Sequence, residues 1–194
     1  MPNWCVTNYV ITGDKKDIDD LYIKMKGLEN REESLLPNGF GKTWLGNLVK
    51  LLGSNPDVLY CRGDWNSLKR DNDNTISFTT ETAWARMTEF EQLITSTYDE
   101  KVSIWFITEE PGFGIFETND AKSLFFPDQF MMDHHKLGSD YMDEEQLLKS
   151  VSRLARKKIT TVDEAFKWAR RYNDWHTARD KEGFCYIRQA DLVD

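Results

Sequence analysis

Two strongly apolar segments, residues 4–12 and 101–109, constrain the fold most, because both are rich in the β-branched and aromatic residues that favour strands. The first segment closes at Gly13, and the second is followed by a Pro111-Gly112 turn. Apolar side chains on both faces of the first segment are typical of a central strand that is covered on both sides. These side chains are Trp4, Val6 and Val10 on one face and Cys5, Tyr9 and Ile11 on the other.

Helical and strand patterns alternate between these two segments. Apolar residues recur at helical spacing from Ile18 to Leu28 and again within residues 81–97, where Trp84 falls on the predicted buried stripe. Residues 58–63 and 75–79 predict two short strands joined by a polar turn, and residues 113–118 predict a return strand. The order strand, helix, strand, strand, helix, strand predicts a ferredoxin-like βαββαβ antiparallel sheet with helices on one face.

The chain changes character near residue 140. Asp143 with Gln146 and Thr161 with Glu164 predict the first turns of two helices, the second through a capping box. Short strands are predicted over residues 130–133 and 184–187. We therefore expect an α+β protein with a ferredoxin-like domain over residues 1–135 and a helical C-terminal extension, residues 140–194, packed on that domain.

Composition limits the class of protein further. No apolar run in the 194 residues approaches the roughly 18 needed to span a membrane, and the N-terminus lacks the basic start of a signal peptide. Three widely spaced cysteines argue against a disulfide framework and favour a reducing compartment. We expect a cytoplasmic protein without a membrane partner, in which Cys5 and Cys185 are buried thiols.

Three sequence stretches form a recognisable pattern: the opening Met-Pro-Asn-Trp-Cys with Asn8 and Ile11-Thr12-Gly13, then residues 78–84, and then the acidic Pro-Gly turn over 109–114. This pattern resembles the YubB-like family. Together the three stretches span residues 1–118. The resemblance implies a ferredoxin-like domain and an origin in phages, plasmids or other mobile elements. It implies no reaction, because the family has no established activity.

Aromatic and polar residues of the predicted sheet form the first candidate site. Indole groups need a partner for their N–H and are enriched at interfaces. The proposed binding residues are Trp4, Asn8, Trp65, Glu109 and Glu110. The leading functional hypothesis is a non-enzymatic accessory protein of a mobile element that binds a protein partner or itself. An alternative hypothesis is a hydrolase that uses the paired carboxylates of Glu109 and Glu110.

The charge distribution favours a second alternative, a nucleic-acid-binding module. Residues 149–181 carry a net charge of +6, whereas the rest of the chain carries −14, out of −8 overall. Basic side chains with aromatic residues between them hold phosphates and stack bases. The same charge run also suits docking on the acidic first domain, dimer formation or a solvated helix face. The candidate nucleic-acid residues are Arg153, Arg156, Lys157, Lys158, Lys167, Trp168, Arg170, Arg171 and Trp175.

Other motifs do not predict chemistry. Gly41-Lys42-Thr43 ends like a phosphate-binding P-loop, but Leu36 occupies the position of the first glycine. Adjacent histidines such as His134 and His135 point apart on a strand, and no second metal-ligand pair lies at a matching spacing. We predict no catalytic residue set, no metal site and no cofactor.

Overall fold

The computed structural model describes residues 3–179 and 181–193. Within them the chain is an α+β protein with five helices, a mixed six-stranded sheet and a small antiparallel three-stranded sheet. The backbone divides into two compact units, one that runs to Asn119 and includes Val193, and another that comprises Asp120–Leu192. No helix in the described residues combines the length and apolar character needed to cross a membrane.

The first unit contains most of the larger sheet and three helices. β1 pairs antiparallel with both β3 and β4, while β2 pairs with β3 and β5 with β4. The strands therefore lie in the order β2-β3-β1-β4-β5. The elements in chain order are β1 (Trp4–Gly13), α1 (Lys15–Glu29), α2 (Leu45–Leu51), β2 (Gly63–Asn72), β3 (Thr75–Ala83), α3 (Thr88–Thr97), β4 (Val102–Glu110) and β5 (Ile115–Thr118).

The central strand β1 buries one face only. Tyr9 and Ile11 on that face belong to the same hydrophobic core as Ile18 of α1 and Phe90 of α3. The prediction that both faces of β1 are covered is wrong, because Trp4 on the opposite face remains 42% exposed and its neighbour on that face 41% exposed. Alternation along β1 therefore separates a core face from an open face, and apolar residues occur on both.

The hairpin β2–β3 lies further along the chain than the sequence predicts. Residues 58–62 form no strand, and only Gly63 of the predicted segment belongs to β2. The Asn55 carbonyl accepts the N–H groups of Val58 and Leu59 in a turn that replaces the predicted strand. The predicted polar turn over 64–74 is instead mostly strand β2. β2 lies at the edge of the sheet, where a strand makes few contacts with the core and can be polar. The polar composition of residues 64–72 therefore did not indicate a strand.

Trp84 is not on the buried stripe of a helix. Its φ angle is +75°, and its N–H donates to the Asn3 carbonyl at 2.9 Å. Thr82 donates its hydroxyl to the Ala85 carbonyl at 2.7 Å, which extends the strand into a turn. Helix α3 therefore begins only at Thr88, and the Trp84 ring lies on the surface beside Phe113.

The second unit combines the small sheet with two helices. Its core is built from the sheet and from the apolar faces of both helices, and the three strands have the order β7-β6-β8. The division after Asn119 falls earlier than the predicted boundary at 135–140, because β6 and β7 pair with each other and β6 with β8. The elements are β6 (Phe130–His134), β7 (Gly138–Met142), α4 (Glu144–Ala155), α5 (Val162–Thr177), β8 (Cys185–Gln189) and β9 (Asp191–Leu192).

Both predicted helix caps of the second unit are confirmed. The Asp143 carboxylate accepts the Gln146 N–H at 2.8 Å, and the Thr161 hydroxyl accepts the Glu164 N–H at 3.2 Å. The Glu164 carboxylate in turn accepts both the N–H and the hydroxyl of Thr160. These bonds satisfy amide groups that have no partner within their helices and fix where α4 and α5 begin.

Candidate functional site

Three of the five predicted binding residues share the open face of the larger sheet. The register places Val6 of β1 opposite both Glu81 of β3 and Glu109 of β4, and two strand positions separate Val6 from Trp4 and Asn8 on either side. The Asn8 amide oxygen accepts the Thr79 hydroxyl at 2.8 Å. The open face therefore presents an indole and a valine between two carboxylates.

Trp65 and Glu110 lie away from this open face. Trp65 is 1% exposed and belongs to the hydrophobic core of the first unit. Glu110 is 2% exposed, and its carboxylate accepts the backbone N–H groups of Gly112 and Phe113. Trp65 is therefore a core residue and Glu110 stabilises the Pro-Gly turn.

The hydrolase hypothesis requires the carboxylates of Glu109 and Glu110 to lie in one site. Both of its carboxylate oxygens accept turn amides, and Glu109 points to the other face because successive side chains of a strand alternate. The two carboxylates therefore do not meet in one site.

Half of the twelve lysine and arginine side chains of the first unit form ion pairs with acidic neighbours among the described residues. Arg86 pairs with Glu91, and Arg70 pairs with Asp19 at 2.5 Å. The other basic residues of this unit that form ion pairs are Lys15, Lys24, Lys26 and Lys101.

The basic side chains of the second unit contrast with this pattern. Within the described ranges 3–179 and 181–193, none of the ten basic residues between 149 and 181 forms an ion pair. On α4, helical spacing places Lys149 and Arg153 on one exposed face, and Arg156 is exposed just after the helix ends. Arg170 and Arg171 are likewise exposed on α5. The predicted cationic region is therefore a surface with unpaired charge.

A cavity of about 170 Å³ lies at the connection between α4 and α5. Thr160 holds the Glu164 carboxylate through two hydrogen bonds of 2.8 and 3.0 Å, which lower the pKa of that carboxyl group. Glu164 is therefore ionised at neutral pH, and none of the four basic side chains around it forms an ion pair with any residue that the structure describes. The cavity is lined by Lys157, Lys158, Ile159, Glu164, Lys167, Trp168 and Arg171.

Two aromatic residues accompany the basic surface on α5. Trp168 is half-buried and its ring lies 5.1 Å from that of Tyr172, which fixes one side of the indole. Trp175 is 44% exposed, and the cations of Arg179 and Lys181 lie 4.6 and 5.0 Å from its ring centroid. Cation–π contacts of this kind orient the flexible basic side chains at the end of α5.

The three histidines of the chain meet in one cluster of the second unit. The ring centroids of His134 and His135 are 4.5 Å apart, and those of His135 and His176 are 5.7 Å apart, with Tyr172 against all three. Among the described residues, no three His, Cys, Asp or Glu side chains are arranged to hold a metal ion. The prediction that His134 and His135 point apart on a strand is wrong, because β6 ends at His134 and the chain turns there. Sequence reasoning missed the cluster also because His176 lies on α5, far along the chain from β6.

His134 is the buried member of the cluster, with 3% of its surface exposed. Its Nδ1 accepts the Lys136 N–H at 3.2 Å, which leaves the proton on Nε2, where no partner lies within the described residues. Burial lowers the pKa of His134, and the nearby charges of His135, Lys136 and His176 lower it further. This ring is therefore held in its neutral form.

The cysteines are all free and buried, as predicted for Cys5 and Cys185. Burial raises the pKa of Cys61 to about 11, and burial with the Asp133 charge raises that of Cys185 to about 11. Burial also raises the pKa of Cys5. A thiol that resists ionisation is a poor nucleophile and a poor metal ligand.

No family model and no curated protein matches this chain.

Proposed function

We propose that the protein is a nucleic-acid-binding module that holds phosphates with the basic side chains of α4, α5 and their connection. One observation carries the proposal: the ten basic residues between 149 and 181 form no ion pair with any described residue, whereas most ion pairs lie in the first unit. Unpaired lysine and arginine side chains are the groups that displace counterions from phosphates.

The aromatic residues support the same proposal. Bases stack on exposed aromatic rings irrespective of sequence, and Trp175 offers an exposed ring beside two cations. The acidic remainder of the chain weakens long-range attraction to nucleic acid, since a net charge of −14 opposes the local +6. Binding is therefore expected to depend on close contact with α4 and α5 and to be sensitive to salt.

Matched charge variants test this function. Arg153→Gln combined with Arg170→Gln removes two charges from α4 and α5, and Lys42→Gln combined with Lys50→Gln removes two exposed charges from the first unit. We measure binding of a fluorescein-labelled 20-nucleotide duplex by anisotropy over a salt series. The first pair is expected to reduce the slope of log K against log salt by about 1.8, at about 0.9 for each lost phosphate contact. Equal effects of the two pairs would contradict the proposal.

We further propose that the first unit is a ferredoxin-like domain and that the chain is an accessory protein of a mobile element, in keeping with its resemblance to the YubB-like family. The order β2-β3-β1-β4 with antiparallel neighbours, and helices after β1 and β3, supports this topology. The three free cysteines support placement in the reducing cytoplasm. Proteomics of a host that carries the element would test this placement.

A second candidate function is protein binding by the open sheet face, with a second copy of the chain as the partner. Val6 lies between Glu81 and Glu109 on this face, and Trp4 is exposed on it. An acidic and aromatic face complements the basic surface of α4 and α5 in another copy. Sedimentation velocity is expected to show association at low salt that Trp4→Ser weakens, and a monomer at all concentrations would exclude it.

A further inference from the structure

The cavity between α4 and α5 has a composition that the rest of the basic surface lacks. Four basic side chains line it, and they face a single carboxylate, that of Glu164. Thr160 donates two hydrogen bonds to Oε2 of that carboxylate, and among the described residues Glu164 forms no ion pair with Lys157, Lys158, Lys167 or Arg171. The cavity therefore concentrates positive charge in a concave site.

The concave shape and the positive charge of the cavity favour a phosphate monoester over a phosphodiester. A phosphodiester within a strand carries one negative charge and continues on both sides, so that it suits an open surface. A phosphate monoester carries a charge between about −1.5 and −2 at neutral pH, ends the chain and offers three acceptor oxygens. Lysine and arginine donors that line one cavity suit the phosphate monoester, because charge-assisted hydrogen bonds are stronger than neutral ones.

The Trp168 ring forms one side of the cavity, against which a base or a sugar can pack. Its indole lines the cavity while Tyr172 contacts it at a ring distance of 5.1 Å, so that its position is fixed before a ligand arrives. A nucleotide whose phosphate sits among the four cations has its base within the reach of a flat aromatic surface. The side chains of phosphoserine and phosphothreonine offer no such flat group.

We propose that this cavity binds the terminal phosphate monoester of a nucleic-acid strand, with the terminal base against Trp168. This inference rests on the proposed nucleic-acid function and adds to it a preference for phosphorylated strand ends. The remaining basic residues of α4 and α5, among them Arg153 and Arg170, contact the phosphates of the strand interior.

The test compares internally labelled ten-nucleotide single strands of one sequence that carry a 5′-phosphate, a 3′-phosphate or hydroxyl groups at both ends. Anisotropy titrations of the full chain are expected to give at least about tenfold tighter binding to one phosphorylated strand, as expected for added hydrogen bonds to a charged group. Lys167→Gln combined with Arg171→Gln is expected to abolish this difference. Arg153→Gln combined with Arg170→Gln removes the same charge outside the cavity and is expected to keep it.

The outcomes separate this inference from the proposed function. Equal affinity of the wild-type protein for all three strands overturns the end-binding site and leaves general nucleic-acid binding in place. Absence of binding to every strand at 50 mM salt overturns both proposals. A phosphoserine peptide that competes as well as the phosphorylated strand overturns nucleic acid as the ligand in favour of a phosphorylated protein. Circular dichroism of both variants confirms that the substituted chains remain folded.

Discussion

The buried ring of His134 predicts that acid destabilises the second unit well above the pH at which carboxyl groups titrate. The folded state holds this ring neutral with a lowered pKa, whereas in the unfolded chain it titrates near 6.5. Below pH 6.5 the unfolded state therefore binds more protons than the folded state, and stability falls as pH falls. The loss is at most about 1.4 kcal/mol for each pH unit, and it ends when the folded ring also becomes protonated.

The substitution His134→Asn isolates this effect. An asparagine side chain hydrogen-bonds readily to the backbone N–H two residues on, so that it replaces the His134 Nδ1 as acceptor for Lys136. It has no titratable group, and its unfolding free energy is therefore expected to be flat between pH 5 and 7. The substitution His176→Asn leaves the burial of His134 in place and is expected to retain most of the pH dependence.

The assay is urea unfolding of each protein at half-unit steps from pH 5 to pH 8. The Cε1 proton of His134 reports both the unfolding of the second unit and the protonation of this ring by NMR. Equal pH dependence of the wild-type protein and His134→Asn would show that the His134 ring is not the group whose protonation destabilises the second unit. The same conclusion would follow if the stability of the wild-type protein did not change below pH 6.5.

Three further predictions concern stability. Arg156 ends α4 with a φ of +54°, a conformation that costs about 1–2 kcal/mol for an L-residue, so that Arg156→Gly is expected to raise the unfolding free energy by about 0.5–1 kcal/mol in urea titrations. Asp120 is fully buried, which raises the pKa of its carboxyl group, but hydrogen bonds from the N–H groups of Phe125, Leu124 and Phe126 lower that pKa by more. Asp120→Asn is therefore expected to cost about 1–3 kcal/mol of unfolding free energy at pH 7 and less below pH 4. Chemical denaturation at both pH values measures this difference. Trp65→Ala is expected to cost about 3–5 kcal/mol and Trp4→Ala about 1 kcal/mol or less, and equal losses in thermal melts would contradict their placement in the core and on the open face.

Sequence patterns predicted the central part of the larger sheet well. The segments 4–12 and 101–109 became β1 and β4, because alternating β-branched and aromatic residues bury one face whatever surrounds them. The edge strand β2 escaped prediction, since an edge strand needs few apolar residues. The turn at Trp84 also escaped, because its backbone conformation depends on a hydrogen bond to Asn3, far away in sequence.

The candidate sites were also predicted only in part from the sequence. The sequence predicted the basic region because charge is visible residue by residue. It did not predict that these charges lack ion pairs or that four of them line one cavity, because both facts depend on how the loop after α4 folds. Trp65 was wrongly grouped with Trp4 because an unrecognised strand gives no indication of which face a residue occupies.

The most direct test of the central claim is the salt dependence of nucleic-acid binding by the wild-type protein. Anisotropy of a labelled 20-nucleotide duplex is measured from 50 to 300 mM salt. A linear decrease of log K with log salt is expected, with a slope of about −3.6 or steeper, which corresponds to four or more phosphate contacts. Binding that is absent at 50 mM salt, or that does not change with salt, would contradict the claim that the unpaired basic residues of α4 and α5 hold phosphates.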